Sequence, residues 1–346
     1  MRAIVVEEAR KASLMRISDP SPGPGEVVIG VRRAGVCGTD VHIYRGEYLA
    51  DYPLVPGHEA SGVIEELGDS VTALDVGDRV TFEPNICCDR CPACLRNEQN
   101  FCHGWQAVGV TRDGAMGERV AVPAKLVFDV GDLPFAAAAF SEPLSCVLHG
   151  VEKLDLEVGS RALLVGAGPI GCLMLQVLRH RGAAVVEVAD LSEQRLELAS
   201  RLGADATHCT EKGWEGVERA ARADRSSDGF DVVVEATGKP EVMRRTVELA
   251  RPGARILWFG VAARGEEVSV DAFEVFRKGL SIHASYTSRR HTSAAIRLLR
   301  SGLVRTELLV SHVVPPERAV EAIGWLEEQR PDVMKTQVEF EPKSAV

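Results

Sequence analysis

Two short segments of the chain carry residues suited to binding a metal ion. Cys37 lies in Val-Cys-Gly-Thr-Asp-Val-His at residues 36–42, and His58 and Glu59 lie in Gly-His-Glu-Ala-Ser-Gly-Val at residues 57–63. Thiolate sulfur, imidazole nitrogen and carboxylate oxygen are ligands that zinc takes in proteins, and a catalytic zinc site keeps one position open. Together the two segments therefore offer the ligands of a catalytic zinc ion.

A second cluster consists of cysteines alone. Cys88, Cys91, Cys94 and Cys102 are separated by two, two and seven residues. Four thiolates this close in sequence are expected to bind one tetrahedral zinc ion and to stabilise a lobe that has little apolar core of its own. Cys87, directly before this pattern, offers an alternative register, and an iron–sulfur cluster is a further alternative that fits the sequence less well.

A glycine-rich turn follows the apolar strand predicted at residues 161–165. Its sequence is Gly-Ala-Gly-Pro-Ile-Gly at residues 166–171, and an apolar helical segment follows it. In this context the glycines are typical of a dinucleotide-binding turn, with the pyrophosphate at the helix N-terminus. Asp190 ends the next predicted strand, where a carboxylate accepts from the ribose hydroxyls and repels a 2′-phosphate, so NAD is favoured over NADP. Arg195 is a nearby cation that would partly accommodate that phosphate, and a structural turn with a capping aspartate is the alternative.

A Lewis-acidic metal and a dinucleotide together predict hydride transfer to or from the carbon of an alcohol. The composition, with 45% hydrophobic and 26% charged residues, is typical of a globular protein. The net charge of −10 argues against a nucleic-acid partner or an anionic membrane surface. The sequence contains no run of about 18 apolar residues, so no membrane-spanning helix is predicted.

The N-terminal residues and the cysteines indicate the cellular compartment in which the protein is expected. Residues 1–8 read as a strand that enters a charged turn and lack the features of a signal peptide. We therefore expect a cytoplasmic protein, in which the nine cysteines favour metal binding over disulfides.

The pattern of strands and turns changes near residue 147. Before it, short β-branched runs between glycines and prolines, such as residues 26–31 and 78–82, predict a β-rich, barrel-like domain. After it, apolar strands at residues 161–165, 184–190 and 231–235 alternate with helical segments. This alternation predicts a doubly wound parallel sheet, and hence an α/β fold with a separate β-rich domain.

These motifs together resemble the zinc-dependent medium-chain dehydrogenases over nearly the whole chain. The resemblance implies a GroES-like β-rich catalytic domain at residues 1–146, with a structural-zinc lobe at about residues 84–104. It further implies a Rossmann coenzyme domain at residues 147–285 and a C-terminal segment, 286–346, that returns to the catalytic domain. Two zinc ions per subunit, NAD, and a homotetramer or homodimer are also implied.

The same resemblance assigns the zinc ligands. Cys37 and His58 match two ligands of the family. The alcohol dehydrogenases carry a cysteine at the position of Glu142. Glu-Pro-Leu at residues 142–144 instead resembles the sorbitol-like polyol dehydrogenases. In that branch the glutamate after the histidine, here Glu59, ligates zinc, and the later glutamate ligates directly or through water. Glu59 is thus the predicted third ligand and Glu142 the alternate, unless Glu59 only orients its neighbours.

Proton transfer is assigned to the residues that follow Cys37. Thr39 matches the relay hydroxyl of the family, and His42 matches its terminal base, a task that suits the pKa of histidine. Asp40 matches the carboxylate that holds the zinc-bound histidine in one tautomer. The alternative is that His42 is an exposed loop histidine and that the proton leaves through water and Glu142.

Nucleotide contacts follow from the glycine turn and from the resemblance, which adds two later loops and a C-terminal lysine. The lysine has a second interpretation as a solvated surface residue. The predicted contacts are Gly166, Gly168, Pro169, Ile170, Gly171, Asp190, Arg195, Ala236, Thr237, Val261 and Lys335.

Two substrate classes remain open in this family. Sorbitol dehydrogenases hold substrate hydroxyls with an Arg-Tyr pair where this chain has Thr287 and Ser288, which puts sorbitol itself in doubt. Threonine dehydrogenases share Cys-Gly-Thr-Asp-Val-His-Ile-Tyr, at residues 37–44 here, but carry a histidine before the four-cysteine lobe that residues 82–86 lack. The favoured interpretation is a polyol, sugar alcohol or cyclitol dehydrogenase. An L-threonine 3-dehydrogenase or another zinc alcohol dehydrogenase is second, and a non-catalytic nucleotide-binding module is a distant third.

Overall fold

The computed structural model describes residues 1–223 and 228–341, which divide into two compact units. Unit 1 comprises Met1–Ser145, Ser288–Gly302 and the chain from Thr306 onward, and unit 2 comprises the intervening Cys146–Thr287 and Leu303–Arg305. The sequence had placed these boundaries at residues 146 and 285.

The strands, in chain order, are β1 (Arg2–Glu8), β2 (Lys11–Arg16), β3 (Glu26–Gly35), β4 (Glu59–Leu67), β5 (Arg79–Phe82), β6 (Asn85–Ile86), β7 (Gln106–Ala107), β8 (Arg119–Pro123), β9 (Val127–Asp129), β10 (Arg161–Val165), β11 (Val185–Asp190), β12 (Ala206–Cys209), β13 (Phe230–Glu235), β14 (Ala250–Trp258), β15 (Ser281–Ala284), β16 (Val310–Val314) and β17 (Lys335–Glu339).

The helices are α1 (Gly38–Arg45), α2 (Pro92–Leu95), α3 (Phe135–Ala138), α4 (Ser141–Glu152), α5 (Pro169–His180), α6 (Glu193–Arg201), α7 (Glu215–Ala221), α8 (Pro240–Leu249), α9 (Ala272–Lys278), α10 (Thr292–Arg300) and α11 (Ala319–Glu327). Within the part of the chain that the structure describes, no helix is long and apolar enough to cross a membrane.

Unit 1 is built on a seven-stranded sheet in the order β16-β17-β3-β4-β5-β9, with β8 paired to β3. All of its pairs are antiparallel except β16 with β17. Alternate residues of β3, namely Val27, Ile29 and Val31, point into one core and are at most 1% exposed. Val28, which points to the opposite face, is also 0% exposed, so both faces of this central strand are covered, and the β-rich domain predicted from the sequence is confirmed.

Unit 2 contains a six-stranded parallel sheet in the order β12-β11-β10-β13-β14-β15. Numbered within the unit, this is the order 3-2-1-4-5-6 of dinucleotide-binding sheets, whose ligands bind beyond the carboxyl ends of the strands where the order reverses. Here that point lies between β10 and β13. The predicted Rossmann domain is confirmed, and its strands are apolar because helices cover both faces.

One carboxylate interrupts the apolar strands of unit 2. Glu187, in the middle of β11, is 6% exposed and accepts hydrogen bonds from Arg161 Nε at 3.0 Å and from His208 Nε2 at 2.7 Å. Burial raises the pKa of Glu187, but the bonds to His208 and Arg161 outweigh burial and hold it below its ordinary value. The carboxylate therefore stabilises the folded state in its charged form.

We expect Glu187→Gln to lower the free energy of unfolding by about 2 kcal/mol at pH 7, because a buried hydrogen bond to a charged group contributes about that much. The pKa of Glu187 is depressed in the folded protein. Its contribution is therefore present above the unfolded pKa of about 4.3 and is lost as the pH falls through the folded pKa. Urea denaturation of both proteins at pH 7, 4 and 3 should show the difference shrinking below about pH 4.3, and a constant difference would contradict this account.

Candidate functional site

Helix α1 positions Cys37 and the residues after it. Cys37 is the N-cap of this helix, in extended backbone conformation, and its backbone N–H donates to Asp40 Oδ2 at 2.8 Å. An acidic side chain at the third helical position commonly closes the first turn in this way. The turn thereby fixes the direction in which the Cys37 side chain leaves the backbone.

Asp40 also reaches the second ligand segment. It is fully buried, and its Oδ1 accepts from the backbone N–H of Gly57 at 3.2 Å. The same oxygen lies 3.7 Å from His58 Nδ1, which has no hydrogen-bond partner among the described residues. The expected contact of Asp40 with the histidine is thus electrostatic at this distance, whereas its hydrogen bonds hold the two backbone segments that carry Cys37 and His58.

The predicted catalytic ligands come together. One donor atom each from Cys37, His58 and Glu59 lies within 4.8 Å of the others. His58 is 6% exposed and Glu59 is 1% exposed. Burial lowers the pKa of His58, but Cys37, Asp40 and Glu142 outweigh it and hold that pKa well above its ordinary value. A buried imidazole among anionic groups suits a divalent cation, and the thiolate selects a softer metal such as zinc.

Glu142 lies in the first turn of α4 and is 8% exposed. It interacts electrostatically with His58 but does not belong to the group of three donors within 4.8 Å. This placement favours Glu59 over Glu142 as the third direct ligand, and the assignment of Glu142 stays a prediction.

Lys335 has a partner that the sequence did not indicate. Its ammonium pairs with Glu59 Oε2, and it is 6% exposed, so it is not a solvated surface lysine. Burial lowers the pKa of Lys335, but Glu59, Cys37 and Asp40 outweigh it and raise that pKa. The ion pair places a cation beside the predicted third zinc ligand. No local sequence signal reveals it, because β4 and β17 both pair with β3 only in the folded sheet.

The predicted relay residues lie along α1. Cys37 Sγ is 3.8 Å from Thr39 Oγ1, so the hydroxyl is next to a predicted zinc ligand. His42 is partly exposed, and its Nδ1 lies 2.9 Å from Glu47 Oε2. The carboxylate partner of His42 was not predicted, although Glu47 follows shortly after the end of α1.

The four-cysteine cluster forms as predicted. The sulfurs of Cys88, Cys91, Cys94 and Cys102 lie within 4.8 Å of one another. Backbone N–H groups donate to two of them: Cys88 N–H to Cys102 Sγ and Cys91 N–H to Cys88 Sγ, both at 3.3 Å. Four converging sulfurs with amide donors are the arrangement of a tetrahedral structural zinc site.

Cys87 does not join this group. Its Sγ lies 3.4 Å from the backbone oxygen of Gln99, and burial raises its pKa to about 12. A protonated thiol that donates to a carbonyl is a poor metal ligand, so the alternative register with Cys87 has no support in the geometry.

The glycine turn in unit 2 leads from β10 into α5. Gly166 has a φ of +106°, which disfavours other residues. A Cβ on Gly171 would lie 1.9 Å from the Gly166 oxygen, whereas one on Gly168 would meet nothing within 4 Å. Gly168 is the N-cap of α5, with Pro169 and Ile170 in its first turn. The backbone at Gly168 is thus open at a helix N-terminus, as the approach of a pyrophosphate requires.

Asp190 organises this turn as well as ending β11. Its Oδ2 accepts from Ala167 N–H at 2.7 Å and its Oδ1 from Ser192 N–H at 2.8 Å. Arg195 donates its backbone N–H to Ser192 Oγ at 3.3 Å, while its Nε is buried without a hydrogen-bond partner in the described chain. The second function of Asp190, in shaping the turn, was not visible in the sequence.

The two predicted cofactor loops follow neighbouring strands. Ala236 N–H donates to Val165 O at 2.9 Å, and Thr237 follows it directly after β13. Val261 follows β14 and is 76% exposed. These residues therefore lie at the carboxyl ends of β13 and β14, where this sheet type binds its ligand.

Two family models match the chain: the alcohol dehydrogenase GroES-like domain at residues 23–132 and the zinc-binding dehydrogenase at residues 169–301. D-arabinitol dehydrogenase 1 of Uromyces fabae is 33% identical over 324 residues, which cover 93% of each chain. L-threonine 3-dehydrogenase of Symbiobacterium thermophilum is 37% identical over 337 residues, covering 94% of this chain and 95% of that one.

A solved structure from Sinorhizobium meliloti 1021, bound to NADP, superposes with a TM-score of 0.93 at 31% identity and covers 98% of this chain and 99% of that one. Similarity at this level of identity and coverage extends through both units. The resemblance drawn from the sequence is confirmed: the chain belongs to the zinc-dependent medium-chain dehydrogenases.

Proposed function

We propose that this enzyme transfers a hydride between NAD and a secondary alcohol of a polyol, sugar alcohol or cyclitol. The observation that carries the proposal is the convergence of half-buried Cys37 with buried His58 and Glu59 in a chain that also holds a glycine turn typical of dinucleotide binding. Glu142, in Glu-Pro-Leu, supports the polyol branch. L-threonine 3-dehydrogenase is the second candidate, because a relative of that name is 37% identical.

Cys37, His58 and Glu59 would hold the catalytic zinc, with Glu142 as alternate ligand, and Cys88, Cys91, Cys94 and Cys102 would hold a second zinc in each subunit. Bound in the first site, zinc supplies Lewis acidity that lowers the pKa of a substrate hydroxyl. Asp40 keeps the two ligand segments together through Cys37 N–H and Gly57 N–H.

The chain's own groups would then move the proton. Thr39 Oγ1 accepts it from the substrate hydroxyl and passes it outward, and His42, partly exposed and paired with Glu47, releases it to solvent. Lys335 balances the charge of Glu59. Ser288 is unsuited to hold a substrate hydroxyl, because it is 2% exposed and donates to Glu83 Oε1 at 2.8 Å.

NAD would bind unit 2 through the glycine turn, Asp190, and the loops with Ala236, Thr237 and Val261. We further propose a cytoplasmic protein, because reducing conditions keep thiolates available for zinc, and a homotetramer or homodimer, which the resemblance to the family implies.

Asp190→Asn should lower the preference for NAD over NADP by at least about tenfold, because a negative charge facing a 2′-phosphate costs several kcal/mol. The amide keeps one oxygen, which accepts from Ala167 N–H, but it loses the acceptor for Ser192 N–H, so the melting temperature of the variant is measured as well. The ratio of kcat/KM values for the two coenzymes measures the change. The control is Glu193→Gln, which neutralises another acidic residue, at the start of α6. An unchanged ratio of kcat/KM values in Asp190→Asn would show that Asp190 does not select the coenzyme.

The function itself is tested by NAD reduction with polyols, sugar alcohol phosphates, inositols, simple secondary alcohols and threonine, each with and without a zinc chelator. Chelator-sensitive turnover of one polyol class is expected. Turnover of threonine alone would establish the second candidate, and chelator-resistant turnover would refute the zinc mechanism.

A further inference from the structure

A fully buried carboxylate stands at the carboxyl end of β13, directly before the predicted cofactor loop. Glu235 is 0% exposed. Its Oε1 accepts from Thr237 N–H at 2.5 Å, from Gly238 N–H at 2.8 Å, and from the Thr237 hydroxyl. One oxygen of this side chain therefore closes the turn that places Thr237.

The same residue holds the neighbouring loop, after β14. The carbonyl oxygen of Glu235 accepts from Phe259 N–H at 2.9 Å and from Gly260 N–H at 3.1 Å. A Cβ on Gly260 would lie 2.8 Å from Glu235 Oε2 and 2.0 Å from Gly238 N. The loops that carry Thr237 and Val261 thus touch each other over this carboxyl group, and only glycine leaves room for it.

The loop after β13 also touches the glycine turn. A Cβ on Gly166 would lie 3.0 Å from Thr237 Cγ2 and 3.2 Å from the Ala236 carbonyl carbon. The positions of these loops therefore determine the shape of the surface beyond the ends of β10, β13 and β14, where a dinucleotide would bind. A displacement of Thr237 would be transmitted to the turn without any change in the glycines.

The burial of the Glu235 carboxyl group costs folding free energy, so stability does not explain why this residue is acidic. Its Oε2 is buried with no hydrogen-bond partner in the described part of the chain. Burial raises the pKa of this carboxyl group, while the bonds from Thr237, Gly238 and Lys239 lower it, and the net shift is upward. A buried oxygen without a donor costs free energy that an apolar side chain would avoid, so a role in placing the loops explains it better than packing.

We propose that Glu235 is a positioning residue for the dinucleotide, which holds the Thr237 and Val261 loops in their binding geometry without contacting the cofactor itself. This inference rests on the proposed function, because it assumes that unit 2 binds NAD.

The test compares Glu235→Ala, Glu235→Asp and Glu235→Gln with the parent enzyme. Dissociation constants for NADH, KM for NAD, kcat, zinc content and melting temperature are measured for each. Glu235→Ala should weaken NADH binding by at least about tenfold, since small displacements of positioning groups have effects of this size. Zinc content should stay unchanged, and kcat at saturating NAD should fall much less than kcat/KM.

Glu235→Gln should restore most of the affinity, because the amide keeps the oxygen that accepts from Thr237 and Gly238. Glu235→Asp, one methylene shorter, should lie between the two, and these variants carry the test if the alanine variant does not fold. The matched control is Glu187→Gln, a buried carboxylate of the same sheet, which should lose stability but keep its NADH affinity.

Unchanged NADH affinity in a folded Glu235→Ala variant would overturn the inference while leaving the proposed function intact. Equal loss of affinity in Glu187→Gln would also overturn it, because general destabilisation would then explain both. A parent enzyme that binds no NADH would refute the proposed function and, with it, the inference.

Discussion

Replacing Cys37 with serine should reduce alcohol oxidation by about a thousandfold or more and remove one zinc ion per chain. A serine hydroxyl is a far weaker zinc ligand than a thiolate. Loss of a Lewis acid that contributes several kcal/mol to the transition state gives an effect of this size. Because Asp40 bonds the backbone N–H of residue 37 rather than its side chain, α1 should remain folded.

The measurement is kcat/KM with the best alcohol of the panel, combined with zinc analysis and NADH binding. Cys87→Ser is the matched control, since this half-buried thiol of unit 1 lies outside both donor groups. Its activity and zinc content should match those of the parent. Full activity in Cys37→Ser would refute the assignment of the catalytic ligands, and lost NADH binding would show general misfolding instead.

Removing one sulfur of the second cluster should act on stability first. Cys94→Ser should release one zinc ion and lower the melting temperature by roughly 5–15 °C, because structural zinc contributes folding free energy directly and each kcal/mol shifts a domain of this size by about 2–4 °C. The residues between β6 and β7 include short α2 and few buried apolar side chains. They therefore depend on the metal more than on a core.

Limited proteolysis and zinc analysis test this prediction. Cleavage should concentrate between residues 84 and 104 in Cys94→Ser, and Cys87→Ser, seven positions earlier, should resist cleavage as the parent does. A Cys94→Ser protein with unchanged zinc content and melting temperature would contradict a structural zinc site. Residual activity at low temperature is expected, because the catalytic donors lie elsewhere in the chain.

Local sequence patterns were sufficient to predict most of the fold and the two sets of candidate metal ligands. The β-branched run of β3, the apolar run of β10 and the turn at Gly166–Gly171 are each expressed by a few adjacent residues. The predicted zinc donors are also local in part, since Cys88, Cys91 and Cys94 are close in sequence, and His58 precedes Glu59 directly. Chemistry that depends on residue type and short spacing can be predicted without a structure.

The residues that support these ligands could not be predicted in the same way. Lys335 meets Glu59 only because β17 and β4 both pair with β3, which brings together residues far apart in sequence. Glu235 ends a strand like many acidic residues, and nothing in its neighbours signals a loop after β14 that packs upon it. Asp190 was predicted for the ribose, but its bonds to Ala167 and Ser192 required the register of β10 and β11.

The sequence by itself determined the family, the two folds, the donor types and the nucleotide turn, because short-range spacing specifies backbone geometry and metal chemistry. The tertiary structure decided which carboxylate lies beside Cys37 and His58, which cation faces it and which buried acid bonds the loop after β13. These depend on sheet pairing between distant segments and on the burial of charge, and both arise only when the strands have assembled.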